Sequence, residues 1–318
     1  MKNKIRLHIV IKDHCIRYGF STHTSPQQLT TYGEEFLPKD LIKEGVIQDT
    51  RRFEMQVENI LWKHKMRKAS LFFTVPDASA IIRVHTVPGT LKEEEIKGYL
   101  YQQIGESLHL PFEQPVLDFG MIRREGADTY ILLVAYPEER VELLEKSFSQ
   151  VRLTPKAAEL SSLSIYRLYH KLNKGRQKDH MMLIEWNVDG IVLTVFHNEI
   201  PQFSRHMKST LLLDQWGYKK YEDQTRIFFE GKEMDLYAYV VDQLAEVERI
   251  MSFYKFSVTK GNSDITNIVL SGDWPYFEEL YQQAEDKFTV PVETLAPKEL
   301  GFNLPARYCD VIGLSLKE

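Results

Sequence analysis

Cysteine is scarce in this 318-residue chain: Cys15 and Cys309 form neither a CxxC pair nor a Cys/His ligand spacing, which argues against a disulfide framework and against zinc. A reducing compartment is expected. Long hydrophobic runs are lacking as well, since stretches such as 130–136 and 181–186 fall far short of the roughly 20 residues that span a bilayer. The opening MKNKIRLHIVIKDH is basic like a signal peptide, but Arg6, His8 and Lys12 interrupt its apolar stretch. The expectation is a cytoplasmic protein whose link to a membrane comes through a partner. Positive charge is not in excess either. With 40 Lys+Arg against 45 Asp+Glu the net charge is -5, which offers no broad attraction to nucleic acid or anionic lipid. The ten histidines are scattered, and neither HExxH nor GxSxG occurs, so no metal site and no nucleophilic catalysis are expected. Glu93, Glu94 and Glu95 suit the first turn of a helix, where negative charge meets the macrodipole, rather than an acid/base pair.

What is present is enough to fold. Hydrophobic residues make up 43% and charged residues 27%, and the length suits two lobes with separate cores. Residues 4–11 and 15–20 alternate in a strand-like way around Lys12-Asp13-His14, which reads as a β-hairpin. A helix is expected over 52–64, then a buried strand at 69–75 closed by Pro76. Residues 77–150 read as a β-α-β-β-α insert, with helices at 91–108 and 137–151. A helix over 155–172 and the polar linker KGRQKD follow. The stretch 181–207 then repeats the opening strand-turn-strand pattern, so the chain is duplicated in structure rather than in letters. Residues 216–233 have no clear periodicity. Leu236, Val240, Val241, Leu244, Val247, Ile250, Met251 and Tyr254 mark a core helix over 235–254. A strand at 267–272, a helix from Pro275, a strand near VPVETL and the tail DVIGLSLK complete a second α/β lobe.

Short landmarks recur along this frame: Gly45-Val46-Ile47-Gln48-Asp49, Phe73-Thr74-Val75-Pro76, Ile82 to Pro88, Leu110-Pro111-Phe112 with Val116 to Phe119, Leu133-Val134-Ala135, Pro201 to Arg205, Glu246 to Arg249 with Ser252-Phe253-Tyr254, Val269 to Gly272, and Val311 to Leu316. Each is a short mix of apolar and turn residues, but their order and spacing resemble PilM, the actin-like type IV pilus assembly family. The resemblance implies an α/β, actin-like (actin/Hsp70 ATPase-type) two-lobed fold with a 1C insert of the kind shared with FtsA. It also implies the division: 1–76 and 151–175 as subdomain 1A, 77–150 as 1C, 176–213 and 263–318 as 2A, and 214–262 as 2B. It implies a cytoplasmic scaffold of a type IV pilus, competence pseudopilus or related secretion machine. Such a scaffold takes the cytoplasmic N-terminal tail of a PilN-like inner-membrane protein in a groove between 1A and 1C. Arg83, Tyr99 and Gln103 are the expected groove residues. Homo-oligomer formation stays open, as do the alternatives of an active ATPase and of a type II secretion component similar to GspL.

Actin-like ATPases hold phosphates with two hairpins, each carrying Asp-x-Gly: the Asp orders the metal or water, and the Gly admits backbone N–H groups close to phosphate oxygens. Matching the family pattern puts Val10 at the first Asp, Lys12 at the first Gly and Arg17 at the Lys. In the second hairpin Glu185 takes the Asp position and Asn187 the Gly position. Arg205 lacks the Gly-Gly that follows it in the family, and the adenosine-side loop keeps Gly272 but continues with Asp273 and Trp274. Neighbouring Asp13 and Asp189 do not restore the pattern. Two readings fit: Lys12 and Arg17 neutralising phosphates with Trp274 stacking on a base, or a pocket decayed into ordinary turn and surface residues. The second is favoured, because catalysis needs placement to within about 1 Å. The expectation is a pseudo-ATPase without ATP, magnesium or any other cofactor.

Overall fold

The computed structural model describes residues 5–22, 29–172, 180–221 and 224–317. The expected linker KGRQKD lies outside the described residues. β-Branched and aromatic residues build the opening hairpin of β1 (Arg6–Ile11) and β2 (Cys15–Ser21), paired antiparallel with Val10 opposite Arg17. β3 (Leu29–Phe36) extends it, and the short strands β4 (Ile42–Lys43) and β5 (Val46–Ile47) lead into α1 (Thr50–Lys63). The Asp49 carboxylate starts that helix by accepting the Arg52 N–H at 3.0 Å. β6 (Ala69–Thr74) returns parallel to β1, as its near-continuous apolar run predicts.

The insert follows as β7 (Ile81–Pro88), α2 (Glu93–Gln102), β8 (Pro115–Glu125) and β9 (Asp128–Pro137), then α3 (Glu138–Gln150). β10 (Leu153–Glu159) and α4 (Ser161–Lys171) stand where a single helix over 155–172 was expected. The reason lies in Leu153–Glu159, which alternate in burial along an edge strand, with Pro155 accommodated where the register shifts. Helix α2 is also shorter than 91–108, ending at Gln103 before Gly105 enters the left-handed region at φ 84°.

The second lobe runs β11 (His180–Trp186), β12 (Gly190–His197) and β13 (Ile200–Lys208), then a hairpin of β14 (Trp216–Tyr221) and β15 (Gln224–Phe229) in the stretch that showed no periodicity. After it come α5 (Glu233–Phe253), β16 (Asn267–Ser271), α6 (Phe277–Lys287), β17 (Val292–Thr294) and α7 (Cys309–Ser315). The sheet of the first lobe has the order β10-β6-β1-β2-β3, and the order β17-β16-β11-β12-β13 repeats it in the second. The duplication suspected from the pattern is therefore topological.

Packing redraws three expected boundaries. The insert has its own core of Val87, Ile96, Leu100, Leu117, Ile131 and Leu133, but α3, expected within it, sends Leu144 and Phe148 into the first-lobe core. There Phe148 lies 5.0 Å from Phe73 and 5.8 Å from Phe53 between ring centroids, and burying such a ring contributes roughly 1.5–3 kcal/mol. The insert strands also continue the sheet of the second lobe, joined where Arg83 pairs with Phe203. Lastly α7, expected in the second lobe, packs on α4 and on β1, β2 and β6. Gly313 permits this: a Cβ there would stand 1.9 Å from the Ser164 carbonyl oxygen. A third core, containing Val10, Phe72, Ile165, Val311, Leu183 and Val269, fills the space between the two sheets.

Candidate functional site

The tips of the two repeated hairpins meet between the lobes. Lys12, Asp13 and His14 form the first tip, closed by the Lys12 N–H donating to the Cys15 carbonyl at 2.9 Å. Asn187, Val188 and Asp189 form the second, closed by the Asn187 N–H donating to the Gly190 carbonyl at 2.9 Å. The backbone N–H of Asp13 donates to Asp189 Oδ2 at 2.8 Å, which ties tip to tip. The Asp13 carboxylate in turn accepts the N–H groups of Glu44 at 2.6 Å and Gly45 at 2.9 Å.

Around this junction the expected site residues are assembled, but not as surface residues. Lys12, Arg17, Glu185, Asn187 and Asp273 are all buried, and the expectation of a pocket decayed into exposed turns is corrected. The Lys12 ammonium reaches Asp77 Oδ2 at 3.2 Å and Glu185 Oε2 at 3.4 Å. His14 Nε2 sits 3.0 Å from Asp273 Oδ2, and its Nδ1 is 3.8 Å from Asp189 Oδ2. Arg17 donates to Asp273 through one terminal nitrogen and to Asp310 Oδ2 through the other at 2.7 Å and through Nε at 3.1 Å. Val10 is fully buried in the core between the sheets, so the first Asp position faces apolar side chains. Gly272 keeps a positive φ of 123°, and a Cβ there would stand 2.2 Å from the Trp186 carbonyl oxygen. Buried charges persist only when paired and hydrogen-bonded, and here every cation has carboxylates around it.

The titration of these groups follows from their neighbours. Burial opposes the Lys12 charge, but Glu185, Asp77 and Asp189 outweigh it and hold the ammonium well above its ordinary value. Burial raises the Glu185 carboxyl to about 7, with Lys12 opposing and Asp77 reinforcing. Geometry agrees that a proton is shared here. The single Ser161 hydroxyl lies 2.7 Å from Asp77 Oδ2 and 2.8 Å from both Glu185 oxygens, so its one proton cannot serve both carboxylates at once and a proton on the raised Glu185 carboxyl finds an acceptor there. Asp13 is raised to about 6 by burial and by Asp189. Burial would raise Asp273, yet His14 and Arg17 hold it far below the usual carboxylate range.

A cavity of about 390 Å³ opens beside the junction, lined by Lys12, Asp13, Asp77, Asn187, Asp189 and His206. A second recess, bordered by His14, Gly272, Asp273 and Trp274, lies on the other side of the His14 ion pairs. The cleft between the two hairpin tips is thus crossed by the protein's own charges. Trp274, read as a base-stacking candidate, is instead buried against Trp186, Trp216 and Tyr239 at centroid distances of 6.1, 5.3 and 5.6 Å. His14, Cys15 and Asp273 approach closely enough to surround an ion, but Arg17 already donates to both Cys15 Sγ and Asp273.

The expected groove residues sit apart on the insert. Arg83 lies at the seam between β7 and β13, its Nε buried without an acceptor. Tyr99 packs against the insert core, and Gln103 closes α2 while its side-chain oxygen accepts from the Ser107 hydroxyl at 2.7 Å. Sequence reasoning missed Asp77, Ser161 and Asp310. Their signal was indirect: two cations at buried hairpin positions demand buried carboxylates, and Asp77 directly follows the landmark ending at Pro76.

A family model described as type IV pilus assembly protein PilM matches residues 18–303. Among solved structures, a PilM-PilN type IV pilus biogenesis complex superposes with a TM-score of 0.79 at 15% identity, covering 98% of this chain and 97% of that one. The ethanolamine utilization protein EutJ from Carboxydothermus hydrogenoformans gives 0.57 at 7% identity over 99% and 90% of the two chains. MreB5 of Spiroplasma citri bound to ADP gives 0.52 at 8% identity over 98% and 95%. No curated protein matches the chain by sequence. The fold is the two-lobed actin-like α/β fold.

Proposed function

This chain belongs to the type IV pilus assembly protein PilM family, and we propose that within it the protein is a non-hydrolysing adaptor whose lobes are held together by its own ion pairs in place of a nucleotide. The observation that carries this reading is Lys12. Its ammonium lies between Asp77 and Glu185, at the hairpin position where the ATPases of this fold need glycine and next to where they order a cation. A nucleotide phosphate brought to that cleft would meet Asp13, Asp77 and Asp189 with no metal to screen them, while Lys12 is already paired with Asp77 and Glu185, and like charges at low dielectric repel strongly. Arg17, which occupies the position of a phosphate-binding lysine, is committed to Asp273 and Asp310.

The partner in this proposal is the short cytoplasmic tail of a PilN-like membrane protein, bound as an extended peptide between the insert and the first lobe. Support comes from the solved PilM-PilN complex that the fold matches over nearly its whole length, and Arg83, on the insert strand that also borders β13 of the second lobe, has a buried Nε without an acceptor. A peptide carboxylate or carbonyl would supply it. Among the described residues no helix is long and apolar enough to cross a membrane, so in this proposal the tail provides the connection. Two titrations test the reading. Calorimetry with Mg-ATP should register no binding, and a dissociation constant in the low micromolar range would overturn the nucleotide-free assignment. A labelled PilN-like tail should bind the wild type and lose affinity with Arg83→Glu; a tail that binds neither protein removes the adaptor role.

A further inference from the structure

The fold carries one exposed surface that neither the cleft nor the insert groove uses. It begins at the end of α1, where residues 62–68 read Trp-Lys-His-Lys-Met-Arg-Lys, and no acidic residue occurs from Ile60 to Pro76. In a chain of net charge -5 this is a local reversal of sign. Trp62 is 84% exposed, whereas Trp186, Trp216 and Trp274 are 0%, 0% and 3% exposed. Lys63, Lys65, Arg67 and Lys68 are exposed around it, and Met55, two helical turns earlier on the same face, adds apolar surface.

The segment is a rigid turn rather than a loose tail. The N–H of Lys65 donates to the Trp62 carbonyl at 3.0 Å and that of Met66 to the Leu61 carbonyl at 2.8 Å, a Schellman closure of α1. Lys65 takes the left-handed position at φ 55°, where glycine is the usual choice. Inward anchors fix the turn: His64 shares a 2.9 Å hydrogen bond with the Tyr18 hydroxyl, and Met66 packs on the first-lobe core. The strand register Leu153↔Ala69 brings exposed Arg152 to the same end of the sheet. Lys63 pairs with Glu35 at 2.5 Å, but among the described residues Lys65, Arg67, Lys68 and Arg152 have no carboxylate within ion-pair distance. Cations at a helix C-terminus suit the macrodipole, which accounts for Lys63 and Lys65 but not for Arg67, Lys68, Arg152 or an indole left in water.

We propose that this pole of the first lobe is a docking surface for an anionic phospholipid bilayer. Lysine and arginine side chains next to headgroups supply electrostatic attraction that is additive over the cluster, and an exposed indole is the side chain best matched to the headgroup boundary, with its apolar ring inward and its N–H in the polar layer. A rigid turn presents both without an ordering cost on contact. The net negative charge elsewhere turns the rest of the molecule away from the same surface, so the attraction also orients the protein. This surface would act beside any tail held by the insert and does not rest on the adaptor reading.

The test is co-sedimentation of the full chain with vesicles of phosphatidylcholine alone and of phosphatidylcholine mixed with phosphatidylglycerol. The protein should partition into the mixed vesicles and not into the neutral ones, and should leave them as salt rises. Trp62 is the only freely exposed indole, so vesicle binding should shift fluorescence emission to the blue, and Trp62→Phe should abolish the shift while binding persists at reduced strength. Lys65→Glu/Arg67→Glu/Lys68→Glu, all at exposed positions, should lower partitioning by roughly a hundredfold or more. Equal partitioning into neutral vesicles, no binding to anionic ones, or undiminished binding by the triple variant would overturn the proposal. So would capture by single-stranded DNA or poly-glutamate in preference to the vesicles, which would reassign the pole to an acidic polymer.

Discussion

The Lys12 ammonium, from the first lobe, and the Glu185 carboxylate, from the second, stand 3.4 Å apart with side-chain exposures of 5% and 1%. Such a pair is weak evidence of net stability, because desolvating two charges offsets much of their attraction. Removing one partner is a different matter. Lys12→Met leaves Asp77 and Glu185 facing each other with only Ser161 between them, and should cost about 3–5 kcal/mol near pH 8, with a smaller loss near pH 5 where a carboxyl takes up a proton. Denaturant unfolding at the two pH values measures this; a loss under about 1 kcal/mol at both would mean that the cluster is not electrostatically coupled.

Stability should also depend on pH through Glu185 itself. Its carboxyl is raised from 4.5 to about 7 on folding, so the folded state holds a proton that the unfolded chain has lost. Its contribution is therefore fullest below the unfolded value and is lost as pH rises through about 7. Asp13, raised to about 6, acts in the same direction over a lower window, while Asp273 and Asp189, both depressed, lose their contribution only in acid. His8, His64, His85 and His206, all depressed by burial, act in the opposite direction below about pH 6.5 in any variant, so the test is a difference: Glu185→Gln, which keeps a neutral partner for Ser161, should remove a fall between about pH 5 and pH 8 worth roughly 1–3 kcal/mol relative to the wild type. A variant whose profile parallels the wild type would place the titration elsewhere.

The sheets and the position of the cleft were legible in the sequence because their signals are local. Apolar alternation at 4–11 and the run at 69–75 report strands directly, and matching the hairpins located Val10, Lys12, Arg17, Glu185 and Asn187. What those residues do was not legible. Lys12 and Arg17 look like surface residues in a sequence, and only folding brings Asp77 and, on α7, Asp310 around them within the first lobe, and Asp273 from the second, from positions tens to hundreds of residues away. The same non-local cause hid β10, whose Pro155 and alanines carry little strand propensity and which forms because β6 offers it an edge. Helix α7 was assigned by chain order to the second lobe, but Gly313 against Ser164 holds it on α4.

That last contact is itself testable. With the Cβ of an alanine forced to within 1.9 Å of the Ser164 carbonyl oxygen, Gly313→Ala must separate α7 from α4. Overpacking of this kind costs typically 1–3 kcal/mol, and a backbone neighbour that cannot rotate away puts the expected loss at the upper end, about 2–3 kcal/mol. Chemical denaturation reads it, and a neutral substitution would show that the two helices are not closely seated.

If Lys12 stands in for an ordered cation, taking the ammonium away should let a metal ion replace it. Lys12→Ala would leave Asp77 and Glu185 exposed to each other, with Asp13 and Asp189 bordering the same cavity. Calcium tolerates irregular oxygen cages, and sites of modest design bind it with dissociation constants near 1 mM. At about 10 mM Ca²⁺ such a site would return about 1.4 kcal/mol of stability by mass action. The expected result is a melting temperature for Lys12→Ala that rises with Ca²⁺, against one for the wild type that does not respond. Lys12→Ala/Glu185→Gln, with one carboxylate neutralised, should respond less than the single variant. Equal responses in all three proteins would mean that the ion acts at the surface, and Lys12 would then be a bystander to the cleft rather than its resident cation.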